Sequence, residues 1–155
     1  MPITALVHAV QTLNAEDAFR PRFDADQWRI LGAYFVRQEF RTGQTIIRQG
    51  QQERSMYLLE QGTMQVFVDQ AAPGKQRIAL LRAGAVVGEP AMFANVPRMA
   101  NVEAMSPCVV WELGGIRLDE LSISKPAIAL EFVRAAGAVM AARMRLNLER
   151  GLPLV

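Results

Sequence analysis

Between Val36 and Leu113 the apolar residues come only in short runs, and Gly43, Gly50, Gly62, Gly74, Gly84 and Gly88 interrupt them. A helix does not persist across such breaks, because each interior glycine costs roughly 1 kcal/mol relative to alanine and favours turn conformations. Short strands joined by tight turns tolerate them, so this stretch is expected to fold as an antiparallel barrel or jelly roll. The expected strands are Val36 to Phe40, Thr45 to Arg48, Ser55 to Glu60, Thr63 to Asp69, Gln76 to Leu81, Ala100 to Met105 and Cys108 to Leu113. In Met64 to Val68 the polar/apolar alternation fails, which predicts a strand covered on both sides. Ala71-Ala72-Pro73-Gly74 has the composition of a hairpin tip.

On either side the period changes. Apolar residues recur at three- and four-residue intervals from Ile3 to Leu13 and from Asp24 to Phe35, with Asp24 placed to cap the second segment. The intervening Asn14 to Phe23 carries Pro21 and charged residues and is expected to be a loop. After Gly114-Gly115 a short helix over Ile116 to Ile123 is expected, and Pro126 suits the first turn of a long helix running to about Glu149. Ile128, Phe132, Ala135, Val139, Ala142 and Leu146 form one stripe on that helix. Val133, Gly137, Met140, Met144 and Leu148 form a second. A helix lying on one core needs one stripe, so the second either faces a partner or a pocket, or belongs to a fully buried helix.

Composition removes several function classes. Cys108 is the single cysteine and His8 the single histidine, so a disulfide framework, a thiolate or histidine metal centre and a His-dependent triad cannot be assembled. Cys108 itself is expected to be a small buried hydrophobe. A net charge of +2, with Lys and Arg scattered, gives no support to direct nucleic-acid binding. No apolar run reaches the roughly 18 residues of a membrane span, and the N-terminus lacks a secretory signal pattern, so a cytoplasmic protein without a membrane partner is expected.

The chemistry is concentrated in Val86 to Val102. Gly88 lets the chain turn sharply out of a strand, and Pro90 is well placed to start a single helical turn through Phe93. Such a turn offers free amides to an anion, and since proline has none, Ala91 is the expected donor. Pro97 directs Arg98 back toward that turn, where a guanidinium pairs well with phosphate oxygens. Glu89 beside an anion is repulsive unless it accepts a hydrogen bond from a sugar hydroxyl while Arg98 compensates both charges. The competing reading is an ordinary surface pair worth about 0–1 kcal/mol.

Gly88-Glu89-Pro90-Ala91 followed by Pro97-Arg98-Met99-Ala100-Asn101-Val102 resembles the phosphate-binding cassette of the cyclic nucleotide-binding domain family, which includes bacterial cAMP receptor proteins, protein kinase A regulatory subunits and nucleotide-gated channels. Gly43 to Gly50, Met56-Tyr57-Leu58-Leu59, Gly62, Leu81 and Gly84 extend the resemblance, which covers Trp28 to about Glu149. It implies a mainly β fold, an antiparallel jelly-roll-like β-roll with N-terminal helices over residues 1–27, the nucleotide-binding unit with its C-terminal helices over 28–149, and a tail over 150–155. It implies a non-catalytic sensor with no cofactor, whose ligand is cAMP or else cGMP. Glu89 then takes the ribose 2′-hydroxyl, Arg98 the cyclic phosphate, the amides of Ala91 and Met99 complete the cradle, Gly88 makes room for the sugar, and Ala100 belongs to the ligand-binding set. The long helix serves as a lid, for which Met140, Arg143, Met144, Leu148 and Asn147 are the candidates, Arg143 by its planar face.

Two positions depart from the family pattern. Pro90 stands where members often have leucine, which stiffens the turn. Met99 stands where cGMP-selective members have threonine and cannot bond the guanine edge, so cAMP is the expected preference. The long helix is expected to shift on binding and to dock a second copy or another protein. A DNA-binding regulator is disfavoured because no helix-turn-helix fits after the long helix, unless the chain is a regulatory fragment of a larger transcription factor, transporter or enzyme. A cupin-like metal enzyme lacks its histidines, and a β-roll that no longer binds nucleotide remains an alternative.

Overall fold

The computed structural model describes residues 2–69 and 74–153. Ala71 to Pro73 of the expected hairpin tip, and Leu154 and Val155 of the tail, lie outside them. Two helices come first, α1 (Thr4–Thr12) and α2 (Ala25–Gly32). Asp24 caps α2 as expected, in a reciprocal capping box with Gln27. The helix stops at Gly32 rather than Phe35, because Ala33 and Tyr34 donate to carbonyls only three residues back and tighten the last turn.

The strands are β1 (Val36–Phe40), β2 (Thr45–Ile47), β3 (Ser55–Gln61), β4 (Thr63–Asp69), β5 (Lys75–Arg82), β6 (Val86–Val87), β7 (Asn101–Ala104) and β8 (Cys108–Gly114), with a short helix α3 (Glu89–Ala94) between β6 and β7. They form two antiparallel four-stranded sheets, ordered β1-β8-β3-β6 and β2-β7-β4-β5. This is the expected β-roll. Two helices close the chain, α4 (Gly115–Ser124) and α5 (Pro126–Arg150), the latter with Pro126 in its first turn and Gly151 ending it in the left-handed conformation.

Two hydrophobic cores explain the strand patterns. One lies between the sheets and gathers Ile47, Tyr57, Leu59, Met64, Leu81, Val87, Val102 and Val110. The other lies between the first sheet and the helices and gathers Leu6, Trp28, Leu31, Met56, Leu58, Trp111, Leu113 and Phe132. β3 sits between the two, so Ser55 to Leu59 are all buried. In β4, Gln65 and Val66 are only half-buried, and the alternation breaks where the register with β5 shifts between Val66 and Phe67.

Candidate functional site

β6 delivers the chain to the site and Gly88 turns it. Gly88 has φ +93, and a Cβ there would come 2.9 Å from Arg98 Nη1 and 3.1 Å from the Ser55 carbonyl oxygen. Only glycine meets both the dihedral and the space. Glu89 then opens α3 and is buried, 2 % exposed as a whole residue. Asn95, at φ +49, ends the turn and sends the chain through Pro97 to Arg98. That return is fastened from outside: Arg98 N donates to the Gln51 carbonyl and Gly50 N to the Arg98 carbonyl. Asn101 accepts from Gln49 N.

Arg98 is 4 % exposed, deeper than its charge alone tolerates. Its Nη2 donates to Ser55 Oγ at 2.9 Å and its Nη1 to the Gly88 carbonyl at 3.2 Å, and Glu53 stands 3.9 Å from Nη2. Nε is buried and has no hydrogen-bond partner among the described residues. Burial pushes the Arg98 pKa below the ordinary arginine value, against the pull of Glu53, Tyr57, Glu112 and Glu89. The guanidinium thus keeps one buried N–H with unused donor capacity.

Glu89 is compensated from elsewhere in the chain. Arg143 on α5 donates from Nη1 to Glu89 Oε1 at 3.0 Å and from Nε to Asp17 Oδ2 at 2.9 Å. Desolvation works against the charged Arg143, and the combined pull of Glu89 and Asp17 outweighs it, holding its pKa above the ordinary value. Arg143 thus joins Arg98 in compensating Glu89, which pairs directly with Arg143 and also acts on the Arg98 charge.

These groups line one cavity that opens to solvent, with about 780 Å³ of empty space counting its mouth. Gly88, Glu89, Ala91, Arg98, Met99, Ala100, Arg143 and Asn147 are all on its wall. Met140, Met144 and Leu148 are not on it, and Met144 and Leu148 point to solvent, 51 % and 64 % exposed. At about 100° per residue Met144 and Leu148 sit roughly a quarter to a third of a turn from the face carrying Arg143 and Asn147, whereas Met140 lies near that face but about a turn further toward the start of the helix. Leu146, assigned from the sequence to the core stripe, lines the cavity, as do Asp17 and Arg150, which no sequence signal singled out. The floor is apolar, built from Ile47, Val66, Ile78, Leu81, Val87 and Val102. Asn147 donates from Nδ2 to the Pro153 carbonyl at 3.1 Å. Since a carbonyl only accepts, this fixes the amide with its Oδ1 as the remaining acceptor.

Among the described residues no group of three or more His, Cys, Asp and Glu is placed to hold a metal, and no helix is long and apolar enough to cross a membrane.

The profile of the cyclic nucleotide-binding domain matches residues 37–124. A cAMP-dependent protein kinase regulatory subunit of Blastocladiella emersonii is 32 % identical over 90 residues, which is 58 % of this chain and 22 % of that protein. An uncharacterised protein of Mycobacterium tuberculosis is 37 % identical over 81 residues, 52 % of this chain and 15 % of its own length. The chain thus matches only 15–22 % of the length of these curated relatives. Among solved structures, a cyclic nucleotide-binding domain from Methylobacillus flagellatus superposes with a TM-score of 0.84 at 22 % identity, covering 96 % of this chain and 81 % of that one. The catabolite activator protein of Thermus thermophilus gives 0.73 at 23 % identity, covering 84 % and 60 %. At these identities the structural likeness establishes the fold.

Proposed function

Since the chain belongs to the cyclic nucleotide-binding domain family, we propose that it is a non-catalytic sensor that takes a cyclic mononucleotide into the cavity at Arg98, with cAMP preferred. The orphaned Arg98 Nε carries this reading. Leaving a buried donor unpaired costs about 1–3 kcal/mol, and a phosphodiester oxygen removes that cost. The cavity's charge suits such a ligand: Arg98, Arg143 and Arg150 face Asp17 and Glu89, leaving one positive charge for one ring phosphate. The amides of Ala91 and Met99 complete the cradle, Gly88 and Ala100 border the sugar and phosphate, and Glu89 accepts from the ribose 2′-hydroxyl.

The base rests on the apolar floor beneath Leu146 and Asn147. Asn147 Oδ1 is an acceptor, which matches the exocyclic amino group of adenine. Met99 offers nothing to the guanine edge. The curated relatives named as cAMP-dependent kinase regulatory subunits support the same preference.

Arg143 ties Glu89 to α5, so a ligand that engages Glu89 biases the position of that helix, by no more than its differential affinity for the two positions. The outward face of α5 carries Leu130, Val133, Gly137, Met140 and Met144 at alternating three- and four-residue spacing. That is the spacing of a coiled-coil seam, and it fits a second copy of this helix.

Calorimetric titration of cAMP and cGMP into the wild-type protein and Arg98→Leu tests the reading. cAMP is expected to bind more tightly than cGMP, and Arg98→Leu to weaken it about a hundredfold or more, because the phosphate charge loses its buried partner. An unchanged dissociation constant in Arg98→Leu refutes the phosphate assignment, and equal or tighter cGMP binding refutes the preference.

A further inference from the structure

The nucleotide site includes a group from outside the 37–124 stretch that carries the family match. The loop between α1 and α2 lies along α5 and touches it at three residues, two near its start and one near its end. Arg22 N donates to Glu131 Oε2 at 2.7 Å. Phe19, fully buried, meets Phe132 edge-on with ring centroids 5.5 Å apart. Asp17 Oδ2 takes the Nε–H of Arg143. As the loop advances from Asp17 to Arg22 the helix is met in reverse, from Arg143 back to Glu131, over about 18 Å of its length.

Arg143 is held at two different donors, Nε by Asp17 and Nη1 by Glu89. Two anchors on one planar guanidinium fix its plane as well as its position, whereas Glu89 alone leaves a long side chain free to rotate about the single contact. Both partners are sheltered, with the Glu89 side chain 3 % and that of Asp17 26 % exposed. The ordering of Arg143, whose rotamer freedom is large, is therefore already complete before any ligand arrives.

Building on the nucleotide-binding reading, we propose that Asp17 is a positioning residue of the site: it holds Arg143 against Glu89 in the geometry that receives the ribose, and it makes the loop 14–23 part of the unit that responds to nucleotide. The loop then reports occupancy as directly as α5 does, through the same guanidinium.

The sign of one substitution separates positioning from bulk electrostatics. Asp17→Asn removes a negative charge beside an anion site, so a purely Coulombic role makes cAMP bind more tightly. Positioning makes it bind more weakly, by about tenfold, the worth of one charge-assisted hydrogen bond. Calorimetry with cAMP on the wild-type protein, Asp17→Asn, Arg143→Gln and the double variant is the experiment, together with hydrogen exchange of residues 14–23 with and without cAMP. The double variant is expected to match Arg143→Gln, because Asp17 acts only through Arg143. Exchange in 14–23 is expected to slow on cAMP binding in the wild-type protein and to lose that response in Arg143→Gln. Binding by the wild-type protein with Asp17→Asn equal or tighter, with additive single effects, or with a loop indifferent to cAMP, overturns the proposal alone. A wild-type protein that binds neither cAMP nor cGMP overturns the nucleotide-binding reading and this inference with it.

Discussion

Replacing Gly88 by alanine places two separable burdens on the protein. The first is conformational: at φ +93 an L-residue adopts the left-handed region at a cost of about 1–2 kcal/mol. The second is steric. The new methyl would lie 3.1 Å from the Ser55 carbonyl oxygen and 3.3 Å from Met56 Cα, both backbone atoms of β3, the strand buried on both faces. They yield only by shifting the sheet, which adds about 1–3 kcal/mol on the scale of overpacked cores. Gly43→Ala is the matched control, because Gly43 has φ +87 and no atom within 4 Å of an added Cβ. Urea unfolding is expected to show a loss of about 1–2 kcal/mol for Gly43→Ala and about 2–5 kcal/mol for Gly88→Ala. The methyl also stands 2.9 Å from Arg98 Nη1 and displaces it from the Gly88 carbonyl. cAMP affinity measured on the same samples is therefore expected to fall by about tenfold or more for Gly88→Ala and to stay unchanged for Gly43→Ala. Equal destabilisation by the two variants, or wild-type affinity in Gly88→Ala, refutes the claim that the cassette's opening turn is packed against Arg98 and β3.

Two further outcomes test the attachments of α5. Glu131, bonded to Arg134 and to the Arg22 amide, has its pKa drawn down from 4.5 to about 2. A carboxylate depressed on folding adds stability that is fully present above about pH 4.5 and lost as pH falls toward 2, so Glu131→Gln should flatten the acid limb of the stability profile in that window, by a modest amount because Arg134 is half exposed; an unaltered limb would remove Glu131 from the acid response. Met144→Glu, on the outward seam, is expected to abolish self-association in sedimentation velocity while sparing cAMP binding, and a wild-type protein that sediments as a monomer at every concentration contradicts the seam.

Much of this protein is written locally. Glycines at turn positions, alternation within strands and the return of helical periodicity after Gly114-Gly115 each act over a few residues, so the β-roll and its flanking helices were readable in order, except for β6, whose two residues are too few to show a period. The same holds for Gly88, Glu89, Ala91 and Arg98, whose juxtaposition needs only one turn and one short loop. The end of α2 was not readable, because the helix closes by a tightened last turn that no glycine or proline announces.

Pairings across the molecule were decided by the tertiary structure alone. Glu89 meets Arg143 across 54 positions of sequence and Arg143 meets Asp17 across 126, and no periodicity ties such residues together. The phase of α5 is the clearest case. Its composition offered Met140, Met144, Arg143 and Asn147 to the cavity as equals. Rotation of the helix against the first sheet, set by Phe132, Ala135 and Val139 burying themselves, turned Arg143, Leu146 and Asn147 inward and left Met144 in solvent. Sequence specifies which faces a helix has; only packing chooses which of them looks into the site.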